Sequence, residues 1–467
     1  MSSLLNLPTT LARIDNPNFL LTPHVRAIEK YLLLAIFGGI KKLMINIPPR
    51  HGKSELVSKY FTAWYLTNNP DKRIILASYE ADFAAQWSRK TRQLLRKYAN
   101  YSPCGAKLSE YSQAANRFDM QQGGGMQSAG AGGAITGKGA DVFIIDDPIK
   151  NDAEAHSEIY RENLWNWYLA TAFTRLEPNG VMIFIMTRWH EDDICGRLLN
   201  SEGSEWTYLK FPALAEENDP LGRPEGEPLM PARYDINALN KIKKTLGSYW
   251  FSAMYQQNPM PQGTGVFKKP DFRYYRKNEN IYELLTDEGI KAVTPNRRFI
   301  TMDLAVKIKE SADYTVLGVW DLTINKDLIL VDLYRERIEG ADHLGLVRQY
   351  YEKYKPSEIN IENVQYQLAL IQMVAKAGLP VREIKADKDK YSRALIAAAK
   401  FERHEIYFPI EVDYNEILER ELLNFPNGKH DDIVDVISYA AIRAGEYVDL
   451  ILPDIKFVKQ KRFTDNY

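Results

Sequence analysis

Short apolar runs alternate with amphipathic stretches over the N-terminal half of the chain, from about residue 20 to residue 255. The runs are apolar at consecutive positions, which is typical of parallel strands that are buried on both faces of a sheet. The stretches after the first two runs repeat apolar residues with a helical period. This alternation predicts an α/β unit with a mostly parallel sheet. Its candidate strands are 43–47, 73–77, 142–145 and 181–186, and its candidate helices include 55–66 and 81–97.

A different pattern follows the polar segment 256–265, which contains two prolines and two glycines. The later candidate strands and helices occur in a ββ…αβα order, which predicts a mixed sheet with helices. The candidate strands are 299–302, 315–320, 328–333 and 358–361, of which the second and third form an antiparallel pair. We therefore expect a first unit at 1–255, a linker at 256–290, a second unit at 291–450 and a basic tail at 451–467.

The composition is that of a globular protein, with 45% hydrophobic and 26% charged residues among 467. This length accommodates two to four domains at roughly 100–200 residues each. Two cysteines are too few for a disulfide framework. The absence of an apolar run of about 18 residues predicts no membrane span, and the N-terminus has no features of a signal peptide. The net charge of −1 neither supports nor excludes a nucleic-acid partner.

A phosphate-binding loop is predicted between the first strand and the first helix. The segment 48–54 reads PPRHGKS, and this position between a strand and a helix is the context that a P-loop requires. Lys53 would reach the β- and γ-phosphates of a nucleotide, and Ser54 would hold Mg²⁺. The first glycine of the usual motif is replaced by Ile47. The expected contacts to ATP are Pro49, Arg50, His51, Gly52, Lys53, Ser54 and Glu55.

Polar residues end two further strands of the predicted parallel sheet. Asp146 and Asp147 follow the run 142–145, where a carboxylate can bind Mg²⁺ through water. A turn before a proline would give the same pair. Thr187 and Arg188 follow the run 181–186, where they would sense the γ-phosphate or simply end the strand. The P-loop and the acidic pair together predict an ATPase with Asp146 as a magnesium ligand.

A second set of acidic residues lies in the C-terminal half. Asp303 and Glu362 each follow a candidate strand, and the sequence HDDIVD at 430–435 begins a helix. Such residues can converge on two metal ions about 3.5–4 Å apart that cleave a phosphodiester bond. Oxygen ligands without sulfur suit Mg²⁺ or Mn²⁺. Each acid alone could instead cap a turn or a helix.

The order of these motifs resembles the large terminase subunit of tailed bacteriophages. The matching segments extend from about residue 21 to residue 445. The resemblance implies an N-terminal P-loop ATPase and a C-terminal nuclease domain with a ribonuclease H-like fold. The motifs that carry it are PPRHGKSE, ASYEADFAAQ, AITGKGADVFIIDDPIK, MTRWHEDDICGRL, TMDLAVKIKESADYTVLGV, INIENVQYQ and FPNGKHDDIVDVISYAA.

The resemblance also implies catalytic roles for individual residues. Arg50 matches an arginine that senses phosphate, and Thr187-Arg188 matches the family's coupling motif. Many members have Asp-Glu where this chain has two aspartates, so either Asp147 or Glu154 would orient the attacking water. The expected nuclease ligands are Asp303 and Glu362 with one or more of Asp431, Asp432 and Asp435, of which Asp432 is the expected catalytic residue. Asp313 matches a recurring acidic position, and 388–393 matches a basic stretch that could contact DNA phosphates.

The implied function is ATP-driven translocation of double-stranded DNA into a procapsid, with endonucleolytic cutting of concatemers when packaging starts and ends. ATP and Mg²⁺ are the expected cofactors, with Mn²⁺ as an alternative at the nuclease site. The expected partners are DNA, a small terminase subunit, the portal protein and further copies in a ring, in the cytoplasm of the host and without a membrane. Two alternatives are a helicase-like repair ATPase fused to a structure-specific nuclease, and an ATP-gated scaffold without either chemistry.

Overall fold

The computed structural model describes residues 6–447, except 136, 138, 261–264, 280, 305–313, 363–367, 385–388, 411 and 429. Asp313, Lys388 and the expected basic tail 451–467 therefore lie outside the described residues. The chain divides into two compact units, Met1–Gln262 and Gly263–Tyr467. Each unit has its own sheet.

The sheet of the first unit is mostly parallel. Its strand order is β3-β4-β5-β2-β6-β7-β1-β8, and all strands from β5 to β8 in this order run parallel, whereas β4 and β3 form an antiparallel edge. The strands are β1 Lys42–Asn46, β2 Arg73–Ser78, β3 Leu108–Gln113, β4 Arg117–Met120, β5 Gly125–Gly130, β6 Ala140–Asp146, β7 Leu176–Met186 and β8 Thr207–Lys210.

Helices cover both faces of this sheet. In β6, Val142 and Ile144 pack into one hydrophobic cluster, and Phe143 and Ile145 pack into another. Burial of both faces explains why the strands are continuously apolar. The α-helices are α1 Pro8–Asp15, α2 Pro23–Phe37, α3 Thr62–Asn68, α4 Ala81–Tyr98, α5 Asp152–His156, α6 Glu158–Trp167, α7 Ile194–Glu202 and α8 Ile236–Trp250, with π-helical turns at Glu55–Phe61, Tyr168–Ala172 and Phe251–Tyr255.

The glycine-rich segment 123–139 begins with a turn and a strand. Its first part is β5, which pairs with β2 in parallel and with β4 in an antiparallel hairpin. An added Cβ at Gly124 would lie 2.2 Å from the Lys72 carbonyl oxygen, and one at Gly125 would lie 2.4 Å from the Phe118 carbonyl oxygen. These glycines are therefore required by close backbone packing and not by flexibility.

The second unit contains a mixed sheet among its described residues. The strand order is β11-β10-β9-β17-β14-β13-β12-β15-β16, with antiparallel hairpins β9-β10-β11 and β12-β13-β14 and parallel pairs at β9-β17, β17-β14, β12-β15 and β15-β16. The strands are β9 Arg273–Asn278, β10 Ile281–Thr286, β11 Gly289–Val293, β12 Pro295–Asp303, β13 Thr315–Thr323, β14 Leu328–Glu336, β15 Ile359–Glu362, β16 Val381–Ile384 and β17 Ile406–Pro409.

One helix of this unit is almost entirely buried. It is α13, which packs on β12 and β13, where the Thr301 hydroxyl donates to the Val436 carbonyl at 2.9 Å and accepts from Trp320 Nε1 at 2.9 Å. The helices are α9 His343–Tyr354, α10 Leu368–Lys376, α11 Lys390–Glu402, α12 Asn415–Asn424 and α13 Asp432–Glu446. None of the helices in the described part of the chain combines the length and apolar character needed to cross a bilayer.

The expected linker 256–290 differs from what the structure has there. Its C-terminal part forms β9 and β10, which extend the mixed sheet. These strands are short and expose most of their side chains, and only Tyr275, Tyr282 and Leu284 reach the core. Three apolar positions separated by polar residues give too weak a pattern to predict strands.

Candidate active sites

The predicted nucleotide site assembles at the carboxyl ends of three neighbouring strands. In the sheet, β6, β7 and β1 are adjacent and parallel, so their carboxyl ends meet at one edge. This brings together the loop 48–54 after β1, the acidic pair at the end of β6, and Thr187 after β7. The edge of a parallel sheet at these ends is where α/β proteins commonly bind ligands.

Lys53 lies at the centre of this arrangement and is 6% exposed. Its Nζ is 2.8 Å from Asp147 Oδ2 and donates to the Thr187 hydroxyl at 2.9 Å. The Thr187 amide in turn donates to Asp147 Oδ1 at 2.9 Å. Asp147 has φ 44°, a left-handed conformation that costs a non-glycine residue free energy and is often held in place at functional sites. Three predicted site residues therefore form one network.

Asp146 is completely buried and is held by hydroxyl groups. Ser54 Oγ donates to its Oδ1 at 2.9 Å, and Ser58 Oγ donates to its Oδ2 at 2.6 Å. Burial, followed by the charge of Asp147, raises the pKa of Asp146 to about 7. The donor set is entirely oxygen and includes a carboxylate, which fits Mg²⁺.

Ser58 is a site residue that the sequence motifs do not single out. It lies four positions after Ser54, on the same side of the helical turn that follows the loop. A search for a second hydroxyl one turn after the P-loop serine would find it.

The loop itself has the shape of a phosphate cradle. Arg50 and Gly52 both have positive φ, at 63° and 86°, and only glycine adopts such a conformation without strain. The His51 ring is stacked on Tyr234 with centroids 5.1 Å apart, and its Nδ1 lies 2.8 Å from the Pro49 carbonyl. Burial lowers the pKa of His51 to about 4, so this ring is neutral at pH 7. The Arg50 side chain is exposed.

Three expected residues have other contacts. Glu154 accepts from the Lys150 amide at 2.8 Å, while its own amide donates to Asn151, so it caps α5. Glu55 lies 3.7 Å from Lys59, one turn along the same helix. Arg188 is buried in an ion pair with Asp193, its Nε lying 2.8 and 3.0 Å from the two carboxylate oxygens. Because Glu154 caps a helix whereas Asp147 contacts Lys53, the structure favours Asp147 as the residue that would orient the attacking water.

The acidic cluster of the second unit also forms where strands end. Asp303 ends β12 and Glu362 ends β15, and these two strands are parallel neighbours. Burial and the charges of Asp435, Asp432 and Glu362 raise the pKa of Asp303 well above its usual range. This mutual effect places the four carboxylates in one electrostatic cluster. The Asp432 carboxylate also accepts from the Tyr314 amide at 3.2 Å.

Two cations from α11 lie within this cluster. Lys390 Nζ is 2.6 Å from Asp431 Oδ1 and 2.5 Å from Asp435 Oδ2. Arg393 Nη2 donates to Asp435 Oδ1 at 2.7 Å. The Arg393 side chain is 9% exposed. The sequence predicts for both residues either contacts to DNA phosphates or a place in solvent at a helix start. In the structure they neutralise carboxylates, which a local pattern cannot indicate because the partners are about forty residues away.

The cluster has suitable donors for Mg²⁺, but its side chains are not arranged as a closed ligand set. Within the described ranges, no group of three His, Cys, Asp or Glu side chains could hold one ion. Lys390 and Arg393 supply positive charge to Asp431 and Asp435 instead. The oxygen donors and the repulsion at Asp303 nonetheless fit a divalent cation, whose charge would offset that repulsion.

Both units match models of one protein family. The model described as "Terminase large subunit, T4likevirus-type, N-terminal" matches residues 44–272, and "Terminase RNaseH-like domain" matches residues 300–444. The chain belongs to the terminase large-subunit family. The expected fold, an N-terminal ATPase unit with a mostly parallel sheet and a C-terminal ribonuclease H-like nuclease domain with a mixed sheet, is thereby confirmed.

Individual relatives are distant in sequence. The large terminase subunit of Enterobacteria phage T3 is 24% identical over 283 residues, covering 55% of this chain and 45% of that protein. The match thus spans less than half the length of this relative. The large terminase of a thermophilic bacteriophage, solved in complex with ADP, is 12% identical, with a TM-score of 0.47 and coverage of 88% of this chain and 98% of that chain. The terminase nuclease of thermophilic phage G20c with bound magnesium is 16% identical, with a TM-score of 0.28 and coverage of 39% and 99%.

Proposed function

We propose that this protein uses ATP to move double-stranded DNA into a phage procapsid and cuts concatemeric DNA when packaging starts and ends. The observation that carries the proposal is the contact network of Lys53, Asp147 and Thr187 beside the Ser54–Asp146 pair. These are the parts of a site for ATP and Mg²⁺, and they stand in a chain of the terminase family.

In the ATPase unit, Lys53 and the amides of the loop bind the phosphates of ATP. Ser54 and Asp146 hold Mg²⁺, which neutralises charge on the phosphates when it is bound. Asp147 orients the attacking water, since it already contacts Lys53 and Thr187, whereas Glu154 caps a helix. Arg50 is exposed on the loop, and its proposed role is to approach the γ-phosphate.

In the nuclease unit, Asp303, Glu362 and Asp432 would hold Mg²⁺, or Mn²⁺ in its place, once their side chains move together, because within the described residues they are not arranged as a closed ligand set. Ions held by these carboxylates would supply a polarised water and charge to offset the leaving oxygen of the phosphodiester. Asp431 and Asp435 are paired with Lys390, so they contribute to the site through this lysine or exchange it for an ion.

The partners follow from this role and rest on family membership. They are double-stranded DNA, a small terminase subunit, the portal protein of the procapsid, and further copies of the chain in a ring on the portal. The site of action is the cytoplasm of the host cell, without a membrane.

The domain boundaries are part of the proposal. We place the boundary between the two units after the buried Gln257, within 258–265, where we expect the most accessible peptide bonds. Limited proteolysis should cut there and release two folded fragments. Cleavage mainly within 315–333 would contradict this boundary.

The function is tested with purified protein on a DNA duplex that carries a third strand. A translocase displaces the third strand with ATP while the duplex stays paired, whereas a helicase-like repair enzyme separates the duplex. Lys53→Ala should abolish displacement, and Asp303→Ala should preserve it. Duplex unwinding by the parent protein would favour the helicase alternative, and no ATP turnover would favour a scaffold.

A further inference from the structure

Gln257 lies in a segment that the sequence predicts to be an exposed linker. Its residue is only 2% exposed, and its backbone has φ 55°, a left-handed conformation. It follows the π-helical turn Phe251–Tyr255 and comes shortly before the end of the first unit at Gln262. A buried glutamine with strained backbone is held by specific contacts, and these contacts lead to the nucleotide site.

The contacts run through two consecutive backbone amides. The Thr187 amide donates to Asp147 at 2.9 Å, and the Thr187 hydroxyl accepts from Lys53 at 2.9 Å. The next amide, that of Arg188, donates to Gln257 Oε1 at 3.0 Å. The Gln257 side chain also donates to the Met254 carbonyl. A single peptide bond, between Thr187 and Arg188, therefore links the partner of Lys53 to the partner of Gln257.

The Arg188 side chain is anchored separately. Its guanidinium group is paired with the buried Asp193 and faces the carbonyls of His190 and Glu191. The hydrogen bond to Gln257 comes from the Arg188 backbone amide, so a shift of the strand end at Thr187 would act on Gln257 through that amide.

The preceding glutamine provides a matched control. Gln256 Oε1 accepts from the Leu214 amide at 3.0 Å, and its Nε2 donates to the Leu214 carbonyl at 2.9 Å and to Glu216 at 3.0 Å. Gln256 thus attaches the same segment to the chain that follows β8, and among the described residues its side-chain hydrogen bonds go to Leu214 and Glu216.

We propose that Gln257 is a positioning residue that couples the state of the nucleotide site to the segment leaving the ATPase unit. The inference rests on the proposed ATPase function. Lys53 exchanges contacts between Thr187, Asp147 and the γ-phosphate as ATP binds and is hydrolysed. Thr187 then shifts and moves the Arg188 amide with it. The Gln257 side chain keeps its hydrogen bond to that amide, because a buried acceptor is costly to leave unpaired. Gln257 changes how ATP turnover is used rather than whether it occurs.

The test compares hydrogen exchange in the full chain with ATPγS and with ADP. In the parent, peptides that contain residues 187–189 and 251–260 should both respond to the nucleotide. Gln257→Leu removes the acceptor at similar volume, and it should speed exchange of the Arg188 amide by about tenfold, as expected for one lost hydrogen bond of about 1.4 kcal/mol. The nucleotide response at 187–189 should remain, and the response at 251–260 should disappear.

Two further variants separate coupling from folding. Gln257→Glu retains an acceptor oxygen and should restore the response at 251–260. Gln256→Leu should loosen the segment equally with both nucleotides and leave the difference between them. In triplex displacement, Gln257→Leu should displace fewer strands per ATP hydrolysed, and Gln256→Leu should keep the parental ratio.

Three results with these variants would contradict the role of Gln257. A parental response at 251–260 in Gln257→Leu would overturn the inference. So would loss of the response in Gln257→Glu, or an equal loss in Gln256→Leu. If Gln257→Leu does not fold, the Gln257→Glu and Gln256→Leu pair still decides. A parent protein that shows no nucleotide response at residues 47–58 would refute the proposed ATPase function instead.

Discussion

Replacing Arg188 by methionine should destabilise the ATPase unit, because Arg188 forms a buried ion pair. Both partners are buried, Arg188 being 6% exposed and Asp193 0%. The guanidinium group contacts both carboxylate oxygens at 2.8 and 3.0 Å and two backbone carbonyls at 3.3 Å. Asp193 also caps α7 by accepting from the Gly196 amide at 3.0 Å.

The size of the effect follows from the desolvated charge that remains. Removing one partner of a buried ion pair leaves the other uncompensated, at a cost of about 3–5 kcal/mol. For a unit of this size, this corresponds to a fall in melting temperature of roughly 6–20 °C. Arg188→Met with Asp193→Ser should cost less than the sum of the two single changes by about 1–3 kcal/mol, since serine retains the helix cap.

Calorimetry of the full chain measures this, and the transition that shifts when ATP is added belongs to the ATPase unit. Turnover of ATP is then measured well below the lowest melting temperature. We expect the double variant to retain ATP hydrolysis, because the Arg188 side chain contacts Asp193 rather than the phosphate loop. A double variant that melts like the parent and yet hydrolyses no ATP would refute this reasoning and restore a catalytic role for the arginine. An unchanged melting temperature in Arg188→Met would refute the energetic argument.

Four further outcomes are expected. Lys53→Ala should abolish phosphate release from ATP while circular dichroism stays parental, and normal turnover would contradict the P-loop assignment. Asp147→Asn should stop hydrolysis and Glu154→Gln should preserve it; the reverse would make Glu154 the base. Asp303→Ala should eliminate Mg²⁺-dependent DNA cutting, keep ATP hydrolysis and raise the melting temperature in EDTA, because like charges no longer repel. The pKa of Asp146 in the folded protein, about 7, exceeds its value in the unfolded chain, so the folded state binds the proton more tightly. Without Mg²⁺, the free energy of unfolding should therefore fall as the pH rises from about 4 to 7. Asp146→Asn should remove that slope, and a parental slope in this variant would refute its origin.

Much of the ATPase site follows from sequence because its parts lie where secondary structure fixes them. The strands of a parallel sheet are buried on both faces, so 43–47, 142–145 and 181–186 are recognisable as apolar runs. Parallel strands end at the same edge, so the residues after them meet. The network of Lys53, Asp147 and Thr187 is a consequence of this geometry.

The contacts that sequence does not predict depend on tertiary packing. Lys390 pairs with Asp431 and Asp435 across the second unit, and no local spacing specifies that partnership. Gln257 is polar and lies shortly before a proline, which predicts an exposed turn, but it is buried against the Arg188 amide. A polar residue that satisfies a buried amide looks, in sequence, the same as one in solvent.

The two sites share a distribution of charge that indicates where a divalent cation gains most. Each has a carboxylate at a strand end, the fully buried Asp146 or the partly buried Asp303, whose pKa is raised by burial and by neighbouring acids. In each, a lysine forms its ion pair with a neighbouring acid, Lys53 with Asp147 and Lys390 with Asp435. The charges of Lys53 and Lys390 lower the pKa of Asp146 and Asp303 only in part, so repulsion from the neighbouring acids remains. A bound cation would remove that repulsion as well as form its own contacts, so Mg²⁺ should stabilise both units. The stabilisation should be smaller when Asp146 or Asp303 is replaced by asparagine.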